Sequence, residues 1–343
     1  MQSKTASLED RIGGSRWPSF RELETADPPE SSWSLFGPDD ELGTINFLTD
    51  DVRRRAASLV RTGRTFNLDY PIGAFDPFPT GTRPEAKHTM FSNNPWHFDD
   101  WLDSFYLQAT TQIDALRHIG HPEHGFYGGR VREDISEQTT TLGIQTYAEA
   151  GIVGRGVLLD VERHLAAEGR PIDQSTSYEI GVEDLEATAE RQGVRFEDGD
   201  ILLVRTGWAE YCRVEMDAAA RAAFAKQIRV PGLATTKAVV AWLWDHHFSL
   251  VAVDNLGVEC FPYTAGNDLV VPGLPAPERG IDHNGGIHRP LLTMLGFALG
   301  EMWALEDLAA DCARDGVYEF LLTAKPLHLP GGAGSPANAL AIK

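Results

Sequence analysis

The sequence predicts an α/β domain, and the main evidence is the alternation of two kinds of segment along the chain. Amphipathic segments with helical spacing occupy residues 182–192 and 235–246. Short apolar runs with the length of buried strands lie before, between and after them, at residues 157–161, 201–205, 250–254 and 318–323. Such alternation is typical of domains in which helices cover a sheet. The 343 residues contain no internal repeat or linker-like segment, so we expect one domain with long excursions.

The N-terminal third is predicted to contain more loop than regular structure. Residues 1–32 are polar and are expected to form an arm in front of a domain that spans 33–343. Thr49 is predicted to cap a helix that ends at Gly63. The proline-rich segment 71–95 is expected to be a long loop, and loops of that length are usually functional or mobile.

Composition excludes several classes of partner. The chain has 50 acidic and 30 basic residues, which gives a net charge of −20. Nucleic acids and anionic membranes are bound through clustered Lys and Arg, so we expect neither as a partner. The sequence shows no apolar segment long enough to span a bilayer and no signal peptide. The three widely spaced cysteines are typical of reduced residues, so we expect a cytoplasmic protein.

Residues 105–115 carry the strongest functional signal. Their alternation predicts a strand with one apolar and one polar face. The polar face lacks Lys, Arg and Glu, and it leads directly to His118. Oxygen and imidazole groups at this spacing suit a hard-to-borderline divalent metal. Two interpretations stay open on the pattern alone, a metal site and an outer strand with its polar face in water. The polar face consists of Tyr106, Gln108, Thr110, Gln112 and Asp114.

A second polar group lies near the C-terminus. His288 follows a glycine pair, which allows close approach of the backbone to another group. Pro290 is predicted to start a helix whose apolar face extends to Leu299, with Glu301 just beyond it. By itself, a histidine at a helix start is usually a cap or a surface residue.

Taken together, these stretches resemble the putative cyclase family, which includes bacterial kynurenine formamidase and isatin hydrolase. The hallmark of that family is His-x-Gly-Thr-His-x-Asp-x-Pro-x-His, which this chain matches at Thr111, Asp114 and His118. The two metal-binding histidines of the hallmark are Gln108 and Gln112 here. The longer branch of the family often has Thr-Gln-x-Asp at this point, so we assign the chain to that branch.

The resemblance extends over most of the chain from residue 33 onwards. His288 and Glu301 stand near the spacing of the family's late histidine and glutamate. The resemblance implies a mixed, curled β-sheet or barrel flanked by helices, the family's swivelling β/α fold, and a homodimer or homotetramer. The other similar blocks are residues 33–49, 154–160, 199–208, 253–255 and 334–336.

The resemblance also implies a metal site. Formamidases of the family hold two zinc ions, and the retained residues correspond to metal ligands at Asp114, His288 and Glu301. In the family one ion is held mainly by the two early histidines, and here Gln108 and Gln112 offer that ion only amide oxygens. An amide is a poorer zinc ligand than imidazole, although it is acceptable to Mn²⁺, Mg²⁺ or Ca²⁺. We therefore expect one firmly held divalent ion, Mn or Zn, and a second that is weak or absent.

The expected activity is metal-dependent hydrolysis of an amide, cyclic amide or lactone carbonyl in a small organic molecule. Metal-activated water would attack the carbonyl, with Glu301 orienting it. His118 is the predicted general acid and base, since histidine titrates near pH ~6.5. Two alternatives stay open: a non-hydrolytic lyase or cyclase that uses the same site, and a catalytically silent small-molecule-binding protein. The candidate substrate contacts are Trp33, Phe36, Asn46, Gln108 and His121.

Overall fold

The architecture is given by a computed structural model that describes residues 17–275 and 283–343. The strands of this part of the chain are β1 (Thr65–Asn67), β2 (Lys87–Asn94), β3 (His97–Asp103), β4 (Gln112–Asp114), β5 (Ile152–Asp160), β6 (Glu179–Ile180), β7 (Ile201–Arg205), β8 (Gly232–Leu233), β9 (Leu250–Val253), β10 (Ala298–Glu301), β11 (Glu319–Ala324), β12 (Gly334–Ser335) and β13 (Ala339–Ile342). The α-helices are α1 (Phe20–Leu23), α2 (Asp50–Ala57), α3 (Gln145–Ala150), α4 (Val161–Ala167), α5 (Val182–Gln192), α6 (Trp208–Glu210), α7 (Ala218–Lys226), α8 (Lys237–Asp245) and α9 (Glu306–Asp315). Short 3₁₀ turns cover Gly43–Phe47, Tyr127–Gly129 and Arg132–Asp134, and wide π turns cover Tyr211–Glu215 and Arg289–Leu295.

A nine-stranded sheet forms the centre, in the order β1-β13-β11-β5-β7-β9-β10-β4-β12. The four strands β5, β7, β9 and β10 run parallel, and antiparallel strands flank them on both sides. Every residue of β7, β9 and β10 is buried, as expected for parallel strands covered on both faces. The prediction of an α/β fold with a mixed, curled sheet flanked by helices is therefore confirmed.

Several local predictions hold in detail. β7 and α5 have the predicted bounds, and β9 and α8 lie within two residues of theirs. The hydroxyl of Thr49 caps α2 by accepting a hydrogen bond from the Val52 backbone N–H. That helix ends at Ala57, earlier than the predicted end at Gly63. Periodicity and capping therefore located these elements, although helix ends were less well placed.

The predicted strand over residues 105–115 is wrong in extent. Only β4 is a strand, and residues 105–111 form turns and bends. Thr110, Gln112 and Asp114 are buried, with at most 3 % exposure. The polar side chains therefore face a polar interior, and their alternation does not require a continuous strand. The interpretation as an outer strand in contact with water is excluded.

The segment 71–95, predicted to be a long loop, is irregular only as far as residue 86. β2 begins at Lys87 and pairs with β3 in a separate two-stranded hairpin. The strands contain Thr, Phe and Trp, which favour extended structure, and Pro95 lies in the connecting turn.

The predicted helix after Pro290 is also too long. The π turn ends at Leu295, because Gly296 adopts the left-handed conformation with φ 69°. The Gly296 carbonyl accepts a hydrogen bond from the Thr44 backbone N–H at 2.8 Å, which fixes this turn to the body of the protein. The apolar run that follows is β10, so Glu301 lies on a strand of the sheet rather than beyond a helix.

Residues 17–32 of the predicted N-terminal arm pack against the rest of the protein. Trp17, Phe20 and Leu23 are buried, and the Trp17 ring lies 5.2 Å from the Phe36 ring. Residues 1–16 lie outside the described part of the chain, and a boundary at residue 32 stays a prediction.

The three cysteines are free and buried. The cytoplasmic location inferred from them stays a prediction. Within the described ranges, none of the helices is both long enough and apolar enough to cross a membrane.

Candidate metal centre

The register between β4 and β10 brings the first group of polar side chains together. Gln112 lies directly opposite Glu301, and Asp114 lies opposite Leu299. Opposed residues of an antiparallel pair share a face, and so do residues two apart on one strand. Gln112, Asp114 and Glu301 therefore point to the same side of the sheet. The Gln112 amide N–H donates a short hydrogen bond to Glu301 Oε2.

Two side chains fix β4 at this position. The Thr111 hydroxyl accepts from the Tyr70 backbone N–H at 2.9 Å and donates to the Met302 carbonyl at 2.6 Å. The Trp303 indole N–H donates to the Gln112 carbonyl at 3.0 Å. These bonds satisfy buried polar groups and tie β4 to the residues just after β10.

His288 completes the group from the other side. It stands immediately before the π turn Arg289–Leu295. Its Nε2 lies 3.0 Å from Glu301 Oε1 and 3.7 Å from Asp114 Oδ2. The backbone before it passes very close to a neighbouring carboxylate, since a Cβ at Gly286 would lie 2.6 Å from Glu259 Oε1. Glycine is therefore required at position 286 for His288 to reach this position.

Glu259 orients the imidazole of His288. Its Oε2 lies 2.6 Å from His288 Nδ1, and its Oε1 accepts a hydrogen bond from the Tyr263 hydroxyl at 3.1 Å. The side chains of Glu259 and His288 are only 2 % and 4 % exposed. With Nδ1 engaged by Glu259, Nε2 is directed at Asp114 and Glu301. A carboxylate on the far nitrogen is the usual partner of a metal-binding histidine.

The oxygen atoms of this group fit a metal ion. Both carboxylate oxygens of Asp114 and the amide oxygen of Gln112 are fully buried without a hydrogen-bond partner among the described residues. Uncompensated burial of a carboxylate is costly, so such atoms require a partner. One ligand atom each from Asp114, His288 and Glu301 lie within 4.8 Å of one another. Two carboxylates, one imidazole and one amide oxygen are a suitable donor set for Mn²⁺ or Zn²⁺.

The pKa values of the two carboxyl groups, Asp114 and Glu301, are shifted in opposite directions. Burial acts to raise the pKa of Asp114, but the imidazoles of His118 and His288 outweigh it and hold that pKa below its usual value. Burial and the neighbouring Asp114 charge raise the pKa of Glu301. Burial would lower the pKa of His288, but Glu259 and the other carboxylates raise it well above the ordinary value. Asp114 is thus the most strongly anionic oxygen ligand available to a cation.

A cavity of about 370 Å³ opens onto this group. The His118 side chain lies on its wall, with 27 % exposure and with Nε2 at 3.9 Å from Asp114 Oδ1. Arg83 also lines the cavity. The cavity therefore joins the buried carboxylates to an imidazole, a guanidinium and an apolar surface. The apolar side chains on its wall are Ile228, Val230, Leu256 and Phe261.

Comparison with known families and structures identifies the family to which the chain belongs. The family model described as Putative cyclase matches residues 51–260, a range that includes Asp114, His118 and Glu259. The chain belongs to the putative cyclase family. A crystal structure described as a novel cyclase is 33 % identical, with a TM-score of 0.77, and the match covers 91 % of this chain and 99 % of that one.

More distant structures share the cyclase fold. Isatin hydrolase A from Ralstonia solanacearum is 17 % identical, with a TM-score of 0.50 over 82 % of this chain and 92 % of that one. Isatin hydrolase A from Labrenzia aggregata, bound to benzyl benzoate, is 17 % identical, with a TM-score of 0.51 over 83 % and 94 %. A search of curated proteins returns no match.

The predicted metal and catalytic residues of this putative cyclase family member lie together. Asp114, Gln112, His288 and Glu301 form one buried group, and His118 lies beside it on the cavity wall. The assignment of ligand and catalytic roles stays a prediction. Gln108 lies close to Gly334, because its amide nitrogen would be 2.9 Å from a side-chain carbon added to that glycine. Gly334 on β12 is paired with Asp114 on β4, so Gln108 lies beside this group.

The other predicted substrate contacts do not line this cavity. Phe36 and Asn46 line a separate depression of about 870 Å³. The Trp33 indole N–H donates to the Thr293 carbonyl at 2.8 Å. His121 stacks on His124 with ring centroids 4.6 Å apart, and burial lowers its pKa to about 4, helped by His124. Within the described chain these four side chains are apart from the metal centre, so their role in substrate binding stays a prediction.

Sequence reasoning missed Glu259, Tyr263 and Arg83, and it placed His283 in the same segment as His288 without giving it a role. His283 lies 3.3 Å from the Tyr263 hydroxyl, and burial together with His288 lowers its pKa to about 4. One signal was present, since Glu259 is a lone carboxylate within the apolar run 256–261. Arg83 gave no signal, because it lies in an irregular proline-rich segment.

Proposed function

We propose that this putative cyclase family member is a metal-dependent hydrolase that acts on an amide, cyclic amide or lactone carbonyl of a small organic molecule. The observation that carries the proposal is the buried group of Asp114, His288 and Glu301 next to a cavity, in which both carboxylate oxygens of Asp114 lack a hydrogen-bond partner among the described residues. The fold is shared with enzymes named as isatin hydrolases, one of them bound to the product analogue thioisatinate.

Asp114, Glu301 and His288 would hold one divalent ion, Mn²⁺ or Zn²⁺. Such an ion supplies an activated water near neutral pH and positive charge at the carbonyl oxygen. Gln112 adds a neutral oxygen on the same side, and this amide is a weak ligand for a second ion. Elemental analysis of protein purified without added metal is expected to give about one equivalent. Two equivalents of tightly bound zinc would contradict this ligand assignment.

His118 is the proposed proton carrier. Its Nε2 lies 3.9 Å from Asp114 Oδ1, and its side chain is partly exposed on the cavity wall. From there Nε2 can accept a proton from the attacking water and donate one to the leaving group. Glu301 lies deeper, with 6 % exposure, and is suited to orienting a water rather than exchanging protons with solvent.

The apolar part of the cavity is the proposed binding surface for the apolar portion of the substrate. Ile228, Val230 and Phe261 line it, and a volume of about 370 Å³ is in the range of small-molecule sites. Apolar side chains also exclude water, which strengthens the interaction of the buried charges with the reacting carbonyl.

The substrate class is tested with a panel of N-formyl arylamines, isatin-like lactams and lactones, assayed with and without Mn²⁺ or Zn²⁺. Hydrolysis that depends on the metal supports the proposal. Turnover in which no water is added would instead indicate a lyase or cyclase. Tight binding without turnover would indicate a small-molecule-binding protein.

The role of His118 is tested by His118→Ala. The variant should keep its metal and lose about 10²- to 10⁴-fold in kcat, the usual contribution of a positioned acid or base. His124→Ala is the matched control, because His124 lies on the same segment but not on the cavity wall. Full activity in His118→Ala would refute the role, and loss of metal would reassign His118 as a ligand.

A further inference from the structure

Arg83 is an unpaired cation on the wall of the cavity. One of its terminal nitrogens donates a short hydrogen bond to the Gln108 carbonyl. Its guanidinium carbon lies 4.4 Å from the centroid of the Phe78 ring and 5.5 Å from that of Tyr106. No carboxylate of residues 17–275 or 283–343 forms an ion pair or hydrogen bond with it. Arg83 is therefore held in place by rings and one carbonyl, and further N–H donors of its guanidinium remain for a ligand.

The surroundings of Arg83 favour an anion. Burial lowers the pKa of Arg83, and Glu301 and Asp114 act in the opposite direction through space. A guanidinium that is partly buried without an anionic partner is costly, and a bound carboxylate would offset that cost. Arginine is also the residue whose planar donors best match a carboxylate.

We propose that Arg83 binds a carboxylate of the substrate, so that the protein acts on amides, lactams or lactones that carry an anionic group. The proposal rests on the proposed hydrolase function and narrows its substrate class. Arg83, His288 and Glu301 line the same cavity, and Asp114 lies buried next to His288 and Glu301. A substrate can therefore place its carbonyl at the metal group and its carboxylate at Arg83.

The first test compares two probes of equal shape, 3-formamidobenzoate and 3-formamidobenzamide. The wild-type protein should prefer the acid, and Arg83→Met should reduce the ratio of the two kcat/KM values about 10- to 100-fold, the effect of losing hydrogen bonds to a charged group. The change should lie in KM for the acid. Arg83→Lys, which keeps the charge but not the planar donors, should recover part of the preference. A ratio that is unchanged, or an equal loss of kcat on both probes, would overturn the proposal.

The matched control is Arg213→Met. Arg213 also stacks on an aromatic ring, with 5.3 Å between its guanidinium carbon and the Tyr70 ring centroid, but it does not line the cavity. This variant should leave the ratio unaltered. Thermal midpoints of both variants show whether either change acts through folding.

A binding test separates failure of this proposal from failure of the hydrolase function. Calorimetric titration of the Mn²⁺-loaded protein with benzoate and with benzamide measures the anion preference without turnover. Tighter binding of benzoate that is lost in Arg83→Met supports the proposal even if neither formamide is hydrolysed. Benzoate affinity that is equal in the two proteins, or measurable in neither, overturns it.

Discussion

Replacing Glu259 should weaken metal binding although Glu259 is not expected to contact the metal. Its Oε2 lies 2.6 Å from Nδ1 of His288, whose Nε2 faces Asp114 and Glu301. Glu259→Gln keeps the volume and an oxygen acceptor but removes the charge. Glu259→Ala removes both and leaves the imidazole free to rotate. The two variants therefore weaken the same hydrogen bond between Glu259 and His288 to two different degrees.

The magnitude follows from the burial of the pair. The side chains are 2 % and 4 % exposed, so solvent does not screen the hydrogen bond appreciably. Loss of such an orienting partner typically costs 10- to 100-fold in metal affinity, about 1.4 to 2.7 kcal/mol. We expect Glu259→Gln near the lower figure, because its amide oxygen can still accept from Nδ1. Glu259→Ala should be near the upper figure, since the Tyr263 hydroxyl also loses its acceptor.

Competition with a chromophoric chelator measures the Mn²⁺ and Zn²⁺ affinities of each variant. Asp200→Asn is the matched control, because it weakens another buried pair, with Arg155 at 2.8 Å, away from the cavity. The control should lower the thermal midpoint and leave the metal affinity within about twofold. Wild-type metal affinity in Glu259→Ala would refute the orienting role, and so would an equal loss of affinity in the control.

Gln112→His should raise zinc affinity at least tenfold in the same competition assay, because imidazole is a stronger zinc ligand than an amide oxygen. An unchanged affinity would show that the side chain at position 112 does not face the ion. Leu203→Ala, at a fully buried position on β7, should lower the free energy of unfolding by about 2–5 kcal/mol through loss of packing and the cavity left behind. Urea titration measures this, and a cost below about 1 kcal/mol would contradict the placement of Leu203 in the core.

The central sheet could be predicted because its strands carry the signal in their own sequence. β7 is a run of five buried residues, and α5 has an apolar stripe at helical spacing. The errors have one cause, which is that a local pattern does not show what it packs against. The run at 298–301 is apolar because it enters the sheet beside β9, yet the same residues also suit a helix face. Gly296 decides between these outcomes through its contact with Thr44, which is 252 residues away.

The residues of the candidate site also fall into two groups, those that the local sequence indicated and those that only tertiary contacts reveal. Asp114 and His118 are close in sequence, so their spacing and the family hallmark indicated them together. Glu259 is 29 residues from His288, and its importance arises only from the hydrogen bond between them. Arg83 reaches the cavity through stacking on Phe78 and Tyr106, which no periodicity encodes. Partners that act through tertiary contact were therefore missed, whereas residues within the hallmark were found.

The charges around the cavity link the metal to the substrate. Asp114, Glu301 and Glu259 are three buried carboxylates around one imidazole, and Arg83 is a nearby cation that pairs with none of them. With a neutral His288, a dication and Arg83 balance the three carboxylates. Without the dication, the raised pKa of His288 keeps its imidazole protonated, and three carboxylates against Arg83 and His288 still leave a net charge of about −1 around the cavity. A substrate carboxylate would be repelled by the unbalanced wall and accepted by the balanced one. Metal binding and binding of an anionic substrate should therefore favour each other, although the ion and the carboxylate occupy different parts of the cavity.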